Sequence, residues 1–147
     1  MVLLIMEYIE ILKNSISPIV LISGVGLLLL SLTNRLGRVI DRVRMIVDEL
    51  KAEKHKEHEF KHKQLKVLYK RSRILRTSIT FCSITILISS LMILLLFMKF
   101  TLNFLISAIF LSFFAIAILS LIVSIIYFLI DISLTLKALK LQIRKYL

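Results

Sequence analysis

NSISPIVLISGVGLLLLSLTN, residues 14–34, decides the architecture, because its 21 residues carry no charge. A helix rising about 1.5 Å per residue needs roughly 20 residues to cross a hydrocarbon core about 30 Å thick. Two further stretches meet that requirement: Thr77 to Met98, with 22 uncharged residues, and Phe100 to Ile130, with 31. The 147-residue chain is 59% hydrophobic with a mean hydropathy of +0.93, against roughly half apolar residues in a soluble domain. The composition places it in a membrane, with spans at 14–34, 77–98 and 104–130. The third stretch is long enough to tilt or to run past the interface.

The charge of +11, from 20 Lys and Arg against 9 Asp and Glu, would suit nucleic acid if it were spread over a soluble surface. Its placement argues otherwise. Segment 35–76 holds 14 of the 20 basic residues, and the tail adds Lys137, Lys140, Arg144 and Lys145. The opposite side has Lys13 and Lys99 alone. Lys and Arg in short loops resist translocation, so the expected topology puts the N-terminus outside and the C-terminus in the cytoplasm of a multi-pass plasma-membrane protein. Residues 1–13 lack a basic n-region, so the first span is expected to be retained. Cys82, the lone cysteine, permits neither an intrachain disulfide nor a cysteine-based zinc site.

The expected fold is all-α: three transmembrane helices, with a cytoplasmic antiparallel helical hairpin over 35–76 between the first and second. Residues 1–13 read as an outer interfacial amphipathic segment, with a fresh helix near Pro18, since proline is tolerated in a first turn. Beyond Gly37 the chain has no glycine or proline, so the first span is expected to continue into the cytoplasm. Leu36, Val39, Ile40, Val43, Ile46, Val47 and Leu50 recur at three and four, as do Leu65, Leu68, Leu75 and Ile79 on the returning arm. The polar run Lys51 to His62 is the expected reversal. The second and third spans are expected to join through Lys99 to Asn103, and 131–147 to form a cytoplasmic C-terminal amphipathic helix.

Polar residues near hydrocarbon need partners, and they mark the candidate sites. Asn34, Arg35, Arg38, Asp41, Arg42, Arg73, Arg76 and Asp131 form an expected belt at the inner boundary. Arg38, Asp41 and Arg42 can pair locally at helical spacing. Asp131 is expected to meet Arg35, Arg38, Arg73 or Arg76. Ser17, Gly24 and Ser31, continued by Arg38, repeat every seven residues as a small-residue packing seam. Ala117, Ser120, Ser124, Tyr127 and Asp131 make a polar stripe on the third span, and Arg76, Thr80, Ser83 and Ser90 share a face of the second. Either the belt lines a passage, or it is a network locking the helices together.

His55, His58 and His62 fall at i, i+3 and i+7 and form a weak metal candidate, but five nearby lysines oppose a cation, and no metal or other cofactor is expected. Anionic lipid headgroups are the expected partners of the basic segment, and nucleic acid is not expected. No phosphate-cradling glycine loop, zinc-protease helix or nucleophile elbow occurs, so no enzyme is expected.

The string ISPIVLISG from Ile16, followed by TNRLGRVIDRVR from Thr33 and LYKRSRIL from Leu68, resembles a family of small prokaryotic membrane proteins catalogued only as a domain of unknown function. The resemblance covers nearly the whole chain and implies three spans with an unassigned activity. It leads one to expect a Glu at the end of the third span, where this chain has Asp131. The order of span, cytoplasmic hairpin, span and span is also similar to the membrane insertase superfamily, by topology alone. The two functional expectations are therefore a homo-oligomeric ion channel with rings from Arg35, Arg38 or Asp131, and a non-conducting insertase-like or scaffold protein that docks lipid or a partner on its basic hairpin.

Overall fold

The computed structural model describes residues 2–52, 58–98 and 106–143, and all of them are α-helical: α1 is Val2–Ala52, α2 is His58–Met98 and α3 is Ile106–Ile143. At about 1.5 Å per residue these helices run roughly 57 to 77 Å, well beyond the roughly 30 Å of a hydrocarbon core. Each therefore combines a membrane-length apolar section with a polar extension. The three carry sections apolar and long enough to span, within Ser15–Lys51, Lys61–Leu96 and Ile109–Leu136.

Pro18 lies inside α1 rather than at a helix start. The expected break is absent because membrane surroundings tolerate an interior proline: neighbouring helices and hydroxyl side chains re-satisfy the freed backbone groups. α3 continues through Asp131 to Ile143. α1 ends and α2 starts inside the polar run where reversal is expected. The joint at Lys99 to Asn103 lies outside the described residues.

Contacts divide the chain into two units. The first combines Met1–Leu29 with Phe81–Val123. Among the described residues its buried positions include Ser15, Pro18 and Val25 on α1, Cys82, Thr85, Ile88, Ser89, Met92 and Leu96 on α2, and Ala117 and Ser120 on α3. The Cys82 thiol donates to the Val25 carbonyl at 3.5 Å, Ser120 donates to the Phe81 carbonyl at 2.9 Å, and Thr85 reaches the Ala117 carbonyl at 3.4 Å. These side chains meet another helix's backbone because small residues let the helices approach. Ser89 is buried with its hydroxyl unbonded.

The second unit combines Leu30–Thr80 with Ser124–Leu147. Leu32, Val39 and Ile46 of α1 are buried two helical turns apart, so they share one face. Leu36, Val43, Val47 and Leu50 flank them half-buried, and Ile40 of the same expected stripe is exposed. On α2 Leu75 is buried, while Leu65, Leu68 and Ile79 are half-buried. Glu49 near the end of α1 pairs with the buried Lys61 near the start of α2 at 3.5 Å.

Candidate functional site: a buried carboxylate between two arginines

Asp131 is the first charged residue after 31 uncharged ones, and its side chain is fully buried within the second unit. An isolated carboxylate there would cost several kcal/mol in lost solvation, so its neighbours must supply charge and donors. Arg71 of α2 donates from Nε to Oδ1 at 3.1 Å. Arg35 of α1 places a guanidinium nitrogen 3.7 Å from Oδ2. One carboxylate on α3 thus ties down both other helices. Arg35 also lies over the Phe128 ring, 5.2 Å from its centre, one turn before Asp131. α3 therefore holds Arg35 by an anion and an aromatic face together.

The two contacts differ in quality. Oδ2 has no hydrogen bond, since 3.7 Å is a Coulombic contact only. The Arg71 side chain is 16% exposed and that of Arg35 is 25% exposed. Arg71 is the principal partner and Arg35 the looser one. Two guanidinium groups against one carboxylate leave the cluster with a net charge of +1.

Two helical turns along, Ser78 of α2 and Ser124 of α3 are fully buried and face each other. Each hydroxyl bonds the other residue's carbonyl, Ser78 at 2.7 Å and Ser124 at 2.8 Å, with the two oxygens 3.1 Å apart. The close approach places α2 at the distance where Arg71, two turns before Ser78, meets Asp131, two turns after Ser124. Thr135 bonds its own helix at the Asp131 carbonyl, 2.8 Å away.

The other expected site residues have separate places. Of the four arginines expected at Asp131, Arg35 is there, whereas Arg38, Arg73 and Arg76 are exposed and Arg73 lies over the Tyr69 ring at 5.9 Å. Asn34, Asp41 and Arg42 are exposed as well, and Arg42 contacts the Met45 sulfur at 3.1 Å. Ser17, Gly24 and Ser31 are exposed, one residue away from the buried Pro18, Val25 and Leu32. The seam therefore belongs to a face of α1 that this chain leaves open. Ser120 and Ser124 are buried and Tyr127 half-buried. On α2 the expected hydroxyl face of Thr80, Ser83 and Ser90 is exposed, with Thr80 and Ser90 bonded to carbonyls of their own helix. Ser78, Thr85 and Ser89 take the interior instead. His62 is exposed, the side chains of His55 and His58 lie outside the described residues, and no metal-holding group occurs among the described residues.

Arg71 escaped the sequence reading although a signal was present. Stepping back from Thr85, Cys82, Ser78 and Leu75 by alternating three and four reaches Arg71 and Leu68. Choosing the basic residues nearest the span, Arg73 and Arg76, selected by depth alone, whereas helix face decides the partner.

Three long apolar helices joined by buried hydroxyls and one ionic cluster define the class: an all-helical protein with the architecture of a multi-pass membrane protein. Residues 15–141 match the family described as "Protein of unknown function (DUF2721)", and the chain belongs to that family. No curated protein and no solved structure matches the chain.

Proposed function

We propose that the protein acts as a homo-oligomeric ion-conducting assembly of the cytoplasmic membrane, with anions as the conducted species. The observation that carries this reading is the open face of α1. Ser17, Gly24, Ser31 and Arg38 recur every seven residues, and all four are exposed on helices whose other outward positions are mainly Leu, Ile and Val. Lipid gains little from such a face, whereas a second helix or a water-filled passage uses it. A Cβ added at Gly24 meets nothing within 4 Å. Symmetric copies turning this face inward would line an axis with small and hydroxyl-bearing residues and close it with a ring of Arg38. Asp131 is held by Arg71 and faced by Arg35 inside one chain, which leaves Arg38, with Asp41 and Arg42 about one turn on, at the end of the open face, a set whose net charge is positive.

In this reading the 35–76 segment is an antiparallel hairpin in the cytoplasm, supported by the Glu49–Lys61 pair and by the positive-inside distribution of charge. The N-terminus is outside and the C-terminus inside. The protein is not an enzyme and uses no cofactor.

Reconstitution into liposomes tests the proposal. Chloride flux above that of empty liposomes is expected, with Arg38→Glu suppressing it or reversing ion preference. Gly24→Leu should leave the single chain folded and disperse the assembly, since a Cβ there meets nothing within 4 Å in the chain. Absence of flux across voltage, tension and pH, with an intact oligomer, refutes conduction. In that case the basic hairpin points to the scaffold reading, and deletion of residues 53–62 should abolish partner capture.

A further inference from the structure

The basic residues are divided unequally between the two arms of the 35–76 segment. From Arg35 to Lys51, five basic residues accompany Asp41, Asp48 and Glu49; from Glu59 to Arg76, seven accompany Glu59 alone. Positive-inside topology accounts for the total but not for this partition. After Glu59 the next acidic residue in the chain is Asp131, which is fully buried and held by Arg71 and Arg35. Arg38 and Arg42 of α1 share their helix with Asp41 at neighbouring positions, and Arg42 rests on Met45. Past Lys63, which pairs with Glu59, the exposed cations of α2 have no acid at a neighbouring position on their own helix.

Depth selects among them. Arg76 directly precedes the 22 uncharged residues Thr77 to Met98, which at about 1.5 Å each fill a core about 30 Å thick. Arg76 therefore stands at the edge of the hydrocarbon. Arg73 is about 4.5 Å further out, within the roughly 5–7 Å headgroup layer, and Tyr69 is about 10 Å out, just beyond it, so that its ring sits on the aqueous side of Arg73. Lys66 and Lys63, about 15 and 20 Å out, are more than a Debye length of about 8 Å from the phosphates. Lys63 is moreover bonded to Glu59 at 2.7 Å.

Tyr69, Arg73 and Arg76 follow each other by four and three residues, so they share a helix face, and all three are exposed. Tyr69, 63% exposed, is an aromatic ring with a polar tip, the side-chain type enriched at membrane interfaces. The Arg73 guanidinium lies over that ring at 5.9 Å. That distance is near the outer limit of a cation–π contact, and a guanidinium fork is the group that binds phosphate through two bonds.

We propose that Tyr69, Arg73 and Arg76 form a binding site for the phosphate of an anionic lipid headgroup in the leaflet where α2 leaves the membrane. The inference rests on Thr77 to Met98 crossing the bilayer and is independent of whether the assembly conducts.

Titration of phosphatidylglycerol into the full-length protein in detergent, followed by native mass spectrometry with phosphatidylcholine as the neutral comparison, tests it. At roughly 1 kcal/mol per basic residue near the headgroup, the double substitution Arg73→Ala with Arg76→Ala should weaken phosphatidylglycerol binding about thirtyfold. Lys63→Ala with Lys66→Ala should change it less than twofold. Continued protection of the buried Cys82 from maleimide shows that each variant is folded. Three outcomes overturn the proposal: the arginine pair behaving like wild type, the lysine pair losing as much, which indicates diffuse attraction or an acidic protein partner, and displacement of the lipid by excess inorganic phosphate, which indicates a soluble ligand.

Discussion

Replacing Asp131 by Asn keeps the size of the side chain and removes its charge, leaving Arg71 and Arg35 facing each other at a buried position. Removing one member of a buried ion pair costs about 3–5 kcal/mol, chiefly because the remaining charge stays desolvated. Here both arginines retain some water contact, at 16% and 25% side-chain exposure, so the lower end of about 3 kcal/mol applies. Arg35→Ala should cost about 1 kcal/mol, since its 3.7 Å contact is not a hydrogen bond and Arg71 still neutralises the carboxylate. Asp131→Glu keeps the charge but inserts a methylene into a full site, which costs about 1–2 kcal/mol. Cys82, completely buried and the only cysteine, provides the assay through the rate of maleimide labelling under native conditions. Labelling limited by global opening should accelerate about a hundredfold for Asp131→Asn, about fivefold for Arg35→Ala and about five- to thirtyfold for Asp131→Glu. A rate within twofold of wild type for Asp131→Asn, or equal acceleration by Arg35→Ala, refutes the assignment of Asp131 and Arg71 as the central lock.

The Ser78–Ser124 contact depends on small volume as well as on hydrogen bonding: Ser124→Ala should cost about 1 kcal/mol in thermal unfolding, and Ser124→Leu distinctly more, because it wedges α2 from α3. At the start of α2 the hydrogen bond from Lys63, and then its charge, hold Glu59 below its usual pKa of 4.5. A depressed carboxylate contributes above its unfolded pKa and loses that contribution as pH falls through the folded value. Helicity lost on acidification below about pH 4.5 should therefore fall partly on this turn, and Glu59→Gln should abolish that component of a circular-dichroism pH titration. Ser31→Cys in a Cys82→Ala background should form disulfide-linked dimers under mild oxidation if the α1 faces meet between copies, whereas Val39→Cys, at a buried position, should not.

The three spanning sections were legible because each is a run of 21 or more residues without a charge, and hydrocarbon enforces that pattern regardless of packing. Faces were legible where the buried residues differ in type from their neighbours. The Ser120, Ser124 and Asp131 stripe stands out on α3 because its surroundings are Leu, Ile and Val. On α2 the signal is ambiguous: Ser and Thr occupy both the interior (Ser78, Thr85, Ser89) and the outer face (Thr80, Ser83, Ser90), since a hydroxyl can satisfy itself on its own helix in either place. Pro18 misled for a related reason. It marks a helix start in water, where an interior proline costs about 3 kcal/mol, but not within a membrane-length helix whose surroundings compensate.

The described polar groups separate into two sets, and the separation bears on where activity resides. Buried groups are mostly consumed inside the chain: Asp131 by Arg71 and Arg35, Ser78 by Ser124, Ser120 by a backbone carbonyl. A carboxylate hydrogen-bonded by Arg71 and faced by Arg35 lies in a net-positive cluster that is poorly suited to bind a permeant cation, and its contacts join α1, α2 and α3 within the second unit. Exposed groups at the boundary are mainly cationic, Arg38 and Arg42 beside Asp41 on α1 and Arg73 with Arg76 on α2. Any ligand or permeant species that uses them must carry negative charge. Arg38 lies on the face that carries Ser17, Gly24 and Ser31, whereas Arg73 and Arg76 share theirs with Tyr69. The proposed assembly face and the proposed lipid site are thus built on different helices, and substitutions in one should leave the other intact. Ion preference should follow Arg38 while lipid affinity follows Arg73 and Arg76, and a single substitution that abolished both would show that the two faces are one.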